Sequence, residues 1–112
     1  MGAAMQVFTT GSAPDPATIQ PTLTATAERG HVRLTGSKNY AETVNLYLRR
    51  KTGPAAGSWV LIAPKRKRFP FDDQTPLAAP GTPEEREYMA RGVNGDDEIG
   101  TDSAVVSATF AG

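Results

Sequence analysis

Thr43-Val44-Asn45-Leu46-Tyr47-Leu48-Arg49 is the stretch on which the reading of this chain turns. Apolar and polar residues alternate through it. Val44, Leu46 and Leu48 fall on one side of an extended chain; Asn45, Tyr47 and Arg49 fall on the other. A period of two marks a strand with one face in a core and the other toward solvent. Upstream, Thr22-Leu23-Thr24-Ala25-Thr26-Ala27 and His31-Val32-Arg33-Leu34-Thr35 repeat the pattern, separated by a turn at Glu28-Arg29-Gly30. Gly36-Ser37-Lys38-Asn39 reads as a loop. Downstream, Gly53-Pro54-Ala55-Ala56-Gly57 breaks the central stretch, and Ser58 to Ala63 reads as the next strand.

Beyond it the pattern loosens. A basic run, Lys65 to Arg68, precedes Phe69-Pro70-Phe71, where the proline between two aromatics suits an edge or a bend. Asp72 to Pro83 is a long proline-rich connection. Arg86 to Val93 reads as a strand, Asn94-Gly95-Asp96-Asp97 as a turn, and Ser103 to Phe110 as the last strand. Seven short strands over about ninety residues, with turn signals at this spacing, predict an all-β, seven-stranded antiparallel sandwich. Residues 1–20 are expected to be an N-terminal arm or linker, and residues 21–112 the sandwich. Within the arm only Gln6-Val7-Phe8-Thr9-Thr10 has strand propensity.

Composition narrows the function classes. The 112 residues hold nine prolines and eleven glycines, which argues against long helices. Twelve basic and twelve acidic side chains leave no formal net charge, so the chain lacks the excess of positive charge that draws nucleic acid. With no cysteine there is no disulfide, thiolate nucleophile or cysteine metal site. No apolar run is long enough for a membrane span, and the start has neither a secretory nor a myristoylation pattern. Neither nucleic acid nor membrane is expected as a partner, and localisation stays open.

The second half carries a family resemblance. Arg86-Glu87-Tyr88-Met89-Ala90-Arg91-Gly92-Val93-Asn94, followed by Gly95 to Ile99, Gly100, Ser103 and Val105-Val106-Ser107, resembles the last two strands of a fibronectin type III domain. Trp59 is similar to a tryptophan common early in that family's C′ strand. The resemblance covers residues 20 to 111. The place of the family's core tryptophan falls here near Thr35-Gly36, and its tyrosine corner falls at Arg86, with Tyr88 two residues later. The resemblance implies a module that presents the loops of one end, or a sheet face, to a protein or carbohydrate. Those loops would be Gly36 to Ala41 and Gly95 to Asp102. Trp59, Leu46, Leu48, Tyr88, Val106 and Phe110 are expected to be mostly buried.

Chemistry-bearing residues are few. His31 is the single histidine, too isolated for a metal site or a Ser-His-Asp arrangement, and reads as a partly exposed strand residue. Asp96-Asp97-Glu98 with Asp102 is the densest acidic cluster, but its spacing suits a solvated turn better than a calcium loop. Lys65 to Arg68, with Arg49, Arg50 and Lys51, could form a basic patch, although a Lys/Arg-rich edge strand is also a defence against edge-to-edge pairing. No acid–base or nucleophile constellation appears. No enzyme activity, cofactor or metal is expected.

Tyr47, Arg49, Met89 and Arg91 lie opposite the core residues of their strands. Tyrosine, methionine and arginine are residue types enriched at interfaces. With Asp96, Asp97 and Glu98 of the last hairpin they form the candidate binding surface. Two other readings stand beside a binding module. One is a structural subunit that self-assembles by adding its Gln6–Thr10 arm to a neighbour's sheet edge. The other is an accessory module of a larger bacterial enzyme or surface protein.

Overall fold

Val44, Leu46 and Leu48 are all buried, and the strand that carries them runs through the middle of the larger of two sheets. The computed structural model describes residues 15–52 and 55–112. A 3-10 turn, Pro16–Thr18, is followed by β1 (Thr22–Glu28), β2 (His31–Ser37), β3 (Thr43–Thr52), β4 (Ala55–Ala56), β5 (Val60–Arg66), β6 (Phe71–Asp73), β7 (Glu84–Asn94), β8 (Asp97–Ile99) and β9 (Val106–Phe110). One sheet has the order β1-β2-β6. The other runs β9-β7-β3, with β4 and β5 along the remaining edge of β3 and β8 paired to the end of β7. Every pairing is antiparallel.

The sheets pack face to face as an all-β sandwich. Leu23, Val32 and Leu34 of the smaller sheet meet Val44, Leu46, Leu48, Ala63, Tyr88, Ala90 and Phe110 of the larger. Burial of a Val- or Leu-sized side chain contributes about 1.5–3 kcal/mol, so this cluster is the main favourable term in folding. Phe69 and Phe71 pack against it from the side. Of the residues expected in the core, Leu46, Leu48, Tyr88 and Phe110 are buried and Val106 is half-buried.

Trp59 departs from expectation. It is half-buried and outside the core cluster, and its ring lies under the Arg49 guanidinium, 4.3 Å from the ring centroid. The reason is the local register. β5 begins at Val60, two residues later than expected, and its pairing with β3 shifts twice, between Val44 and Leu46 and between Leu46 and Tyr47. These bulges seat Ala63 rather than a large residue against Leu46. The last strand also starts later than Ser103, at Val106. Ser103 is instead a buried anchor whose hydroxyl accepts from the Ala90 N–H at 2.8 Å.

Gly36 explains the missing core tryptophan in physical terms. A Cβ at that position would lie 2.0 Å from the Thr22 carbonyl oxygen, so no side chain fits there. At the tyrosine-corner position, the fully buried Arg86 acts instead of a phenol. Its Nη2 donates to the carbonyls of Thr75 at 2.7 Å and Pro76 at 3.1 Å, tying the 74–83 connection to the start of β7. Its Nε donates to Glu84 Oε2 at 2.6 Å, and its guanidinium stands 4.4 Å from the Phe110 ring centroid. The Tyr88 hydroxyl donates to buried Asp73 at 2.7 Å. Burial, then the Asp73 carboxylate, pushes that phenol well above its ordinary range.

The expected arm is not free along its whole length. Ile19 is buried, and its carbonyl accepts from the Thr101 N–H at 3.0 Å. Gln20 donates to the Asp102 carbonyl at 2.9 Å. Residues 6–10, the segment considered for strand addition, lie outside the described residues.

Candidate binding surface

The outward face of the larger sheet is built by register. Tyr47 of β3 pairs with Leu61 of β5 on one side and with Met89 of β7 on the other. Val105 precedes Val106, which pairs with Tyr88, and so stands at the β9 end of the same row. Leu61–Tyr47–Met89–Val105 is thus an apolar row across three strands and the residue just before a fourth. Leu61 and Val105 are 45% and 47% exposed, two of the few large hydrophobic residues left open on the surface.

Charged rows flank it. Two residues along in one direction, Arg49 pairs with Glu87, and Nε of the arginine donates to Oε1 of the glutamate at 2.6 Å. Trp59 closes that row beneath Arg49. Two residues along in the other direction, Asn45 pairs with Arg91. Glu98 reaches back across β7 from β8, taking a hydrogen bond from the Tyr47 hydroxyl and one from Asn45 Nδ2 at 2.9 Å. Burial pushes the Glu98 carboxyl up, but the Tyr47 and Asn45 hydrogen bonds and the Arg91 charge outweigh it, so the group sits below its ordinary value. Tyr47 is raised by burial and then by Glu98. Arg91 donates to the carbonyls of Ile99 at 3.2 Å and Gly100 at 2.8 Å and lies 3.5 Å from the Asp102 carboxylate.

The structure therefore brings Tyr47, Arg49, Met89, Arg91 and Glu98 onto one face. It divides the acidic cluster. Asp96 pairs with Lys65, whose hydrogen bond holds the carboxyl below its usual range. Asp97 is exposed at the start of β8, and Asp102 faces Arg91. No group of three or more His, Asp or Glu among the described residues is arranged to hold a metal ion. The basic residues are divided too: Lys51 faces Glu85 at 3.7 Å, Arg50 donates to Glu84 at 2.8 Å, and the Arg66 guanidinium lies over the Phe71 ring. His31 is partly exposed on the outer side of the smaller sheet. Its Nε2 stands 3.7 Å from Asp72, whose carboxyl is held low by the Arg33 hydrogen bond.

Sequence reasoning missed Leu61, Glu87, Trp59 and Val105 as members of the face. For Glu87 the signal was present, since it alternates with Met89 and Arg91. For Leu61 and Trp59 it was hidden by the β5 bulges, and for Val105 by the irregular chain before β9. Elsewhere, a cleft of about 430 Å³ lies at the end of the sandwich opposite the β7–β8 turn, between Gly30, Leu77, Pro80 and Phe110. No helix among the described residues is long and apolar enough to cross a bilayer.

No family model and no curated protein matches the chain. Among solved structures it is similar to the crystal structure of a Fn3-like protein from Clostridium thermocellum, with a TM-score of 0.61 and 19% identity over 88% of this chain and 95% of that one. Together with the β1-β2-β6 and β9-β7-β3-β5 sheets, that likeness gives the chain a fibronectin type III-like fold.

Proposed function

We propose that the chain is a non-catalytic interaction module that binds a protein partner on the outward face of its larger sheet. The observation that carries this reading is the row Leu61–Tyr47–Met89–Val105, with Leu61 and Val105 exposed and Tyr47 and Met89 half-buried between them, where a sheet's outer face ordinarily alternates to polar residues. Apolar area that includes tyrosine and methionine and is flanked by arginine and tryptophan has the composition of an interface centre. A protein suits it better than a carbohydrate. Sugar recognition needs several polar groups converging on hydroxyls, whereas the centre of this face is apolar and the polar atoms nearest it, the Tyr47 hydroxyl and Glu98 Oε2, are bonded to each other.

Site-specific photo-crosslinking in the native cells tests this. A crosslinker at position 89 is expected to trap a protein, and one at Thr24, on the outer side of the smaller sheet, is expected to trap none. Equal adducts from both positions, or none from position 89, would remove the reading.

A further inference from the structure

On that sheet-face reading, we propose that the protein partner is a second copy of this chain, packed face to face about a two-fold axis along the Leu61–Tyr47–Met89–Val105 row. The charge pattern points to it. Arg49 and Glu87 stand two residues to one side of the row; Glu98, held over Asn45, and Arg91 stand two residues to the other. A two-fold rotation about the row exchanges its two sides while keeping each strand at its own place along the row. Arg49 then meets Glu98 of the second copy, and Glu87 meets Arg91 of the second copy. Each contact occurs twice, as a self-complementary interface requires.

A foreign acidic or basic partner would call for a rim of one sign. This rim carries both signs in reciprocal positions, on strands that lie side by side, and the chain has no net charge to hold copies apart. The rotation reverses strand direction without turning the strands across one another, so the two sheets meet in the aligned packing that sandwiches favour. The ten-residue β3 and its neighbours offer on the order of 600 Å² of face per copy from strand rise and spacing, enough for a weak, concentration-dependent dimer.

Sedimentation equilibrium from micromolar to millimolar concentration reads the association, with charge swaps at one contact. The wild type is expected to shift from monomer to dimer. Glu87→Arg and Arg91→Glu are each expected to weaken the dimer at least about tenfold, because each homodimer faces like charges twice. An equimolar mixture of the two single variants restores both pairs in the heterodimer and is expected to associate like the wild type, as is the double variant. Thermal melts check that each variant is folded. Should Glu87→Arg unfold, Met89→Asp probes the same contact, with a monomer expected. A wild type that stays monomeric at millimolar concentration overturns the proposal, as does a mixture that fails to associate or a dimer that survives both swaps and disappears on deletion of residues 1–14. A monomer that still yields a protein adduct from position 89 overturns the second copy and leaves the sheet-face reading standing; the loss of that adduct removes both.

Discussion

Arg86 is the residue whose removal should be felt most. It is fully buried against Asp73, which would be left without a cation, and against Glu84, which would keep only Arg50, and it closes two carbonyls of the 74–83 connection. Truncating one member of a buried charged network costs about 3–5 kcal/mol. Arg86→Ala is expected to lose that much in a urea titration, and Arg86→Lys, lacking the planar fork, is expected to recover little of it. A loss under about 1 kcal/mol in Arg86→Ala would show that the corner is held by other means. The opposite is expected of Trp59. Half-buried and stacked on Arg49, it is expected to cost about 1–2 kcal/mol on truncation rather than the ~3–5 of a core aromatic, and its fluorescence should be open to iodide quenching. A blue-shifted, unquenchable Trp59 would return it to the interior. Tyr88 and Phe110 were legible as core residues because alternation is regular in β7 and β9. The burial of Arg86 was not, since nothing in the order of residues shows that Asp73 and Glu84 converge on it.

Between elements, the β3–β7 pairing is laced by charge: Arg49 to Glu87, Arg50 to Glu84 and Lys51 to Glu85. Burial pushes the Glu84 carboxyl up, but hydrogen bonds from the Ala78 N–H, Arg86 and Arg50 more than offset it, leaving the group below its ordinary value. A carboxylate whose folded value is depressed adds stability above its unfolded value, and that stability is lost as pH falls through the folded one. Melting temperature should therefore drop as pH falls below about 4.3, the ordinary glutamate value, and Glu84→Gln should flatten that slope. An unchanged slope would contradict the role given to Glu84. The docking of residues 15–21 has its own test. Gly100 has φ +69°, and a Cβ there would lie 1.9 Å from the Ile19 carbonyl oxygen, whereas Gly95, at φ +61°, has open space around it. Gly95→Ala should cost about 1–2 kcal/mol in backbone strain alone; Gly100→Ala should cost clearly more. Equal losses would mean that Ile19 is not held against Gly100. Strand existence was readable here, but the strand ends in β5 and β9 and the seating of Ile19 depend on bulges and backbone contacts that a period of two does not encode.

For the molecule as a whole, the sandwich follows from a few alternating stretches whose buried sides find one another, while the working surface follows from what the same alternation leaves outside. Tyr47, Arg49, Met89 and Arg91 could be placed together because they share strands with regular alternation, and β3 and β7 are neighbours with matched register. Glu98 joins them only because the β7–β8 hairpin folds it over the sheet. The claim that this outer face is a free binding surface, and not part of what holds the fold, rests on Met89 at its centre. The most direct measurement pairs a thermal melt of Met89→Asp with photo-crosslinking from position 61 on the same row. The melting temperature is expected to stay within about 2 °C of the wild type, as for a surface substitution, while the protein adduct from position 61 disappears. A Met89→Asp protein that unfolds, or one that keeps its adduct, would contradict the account.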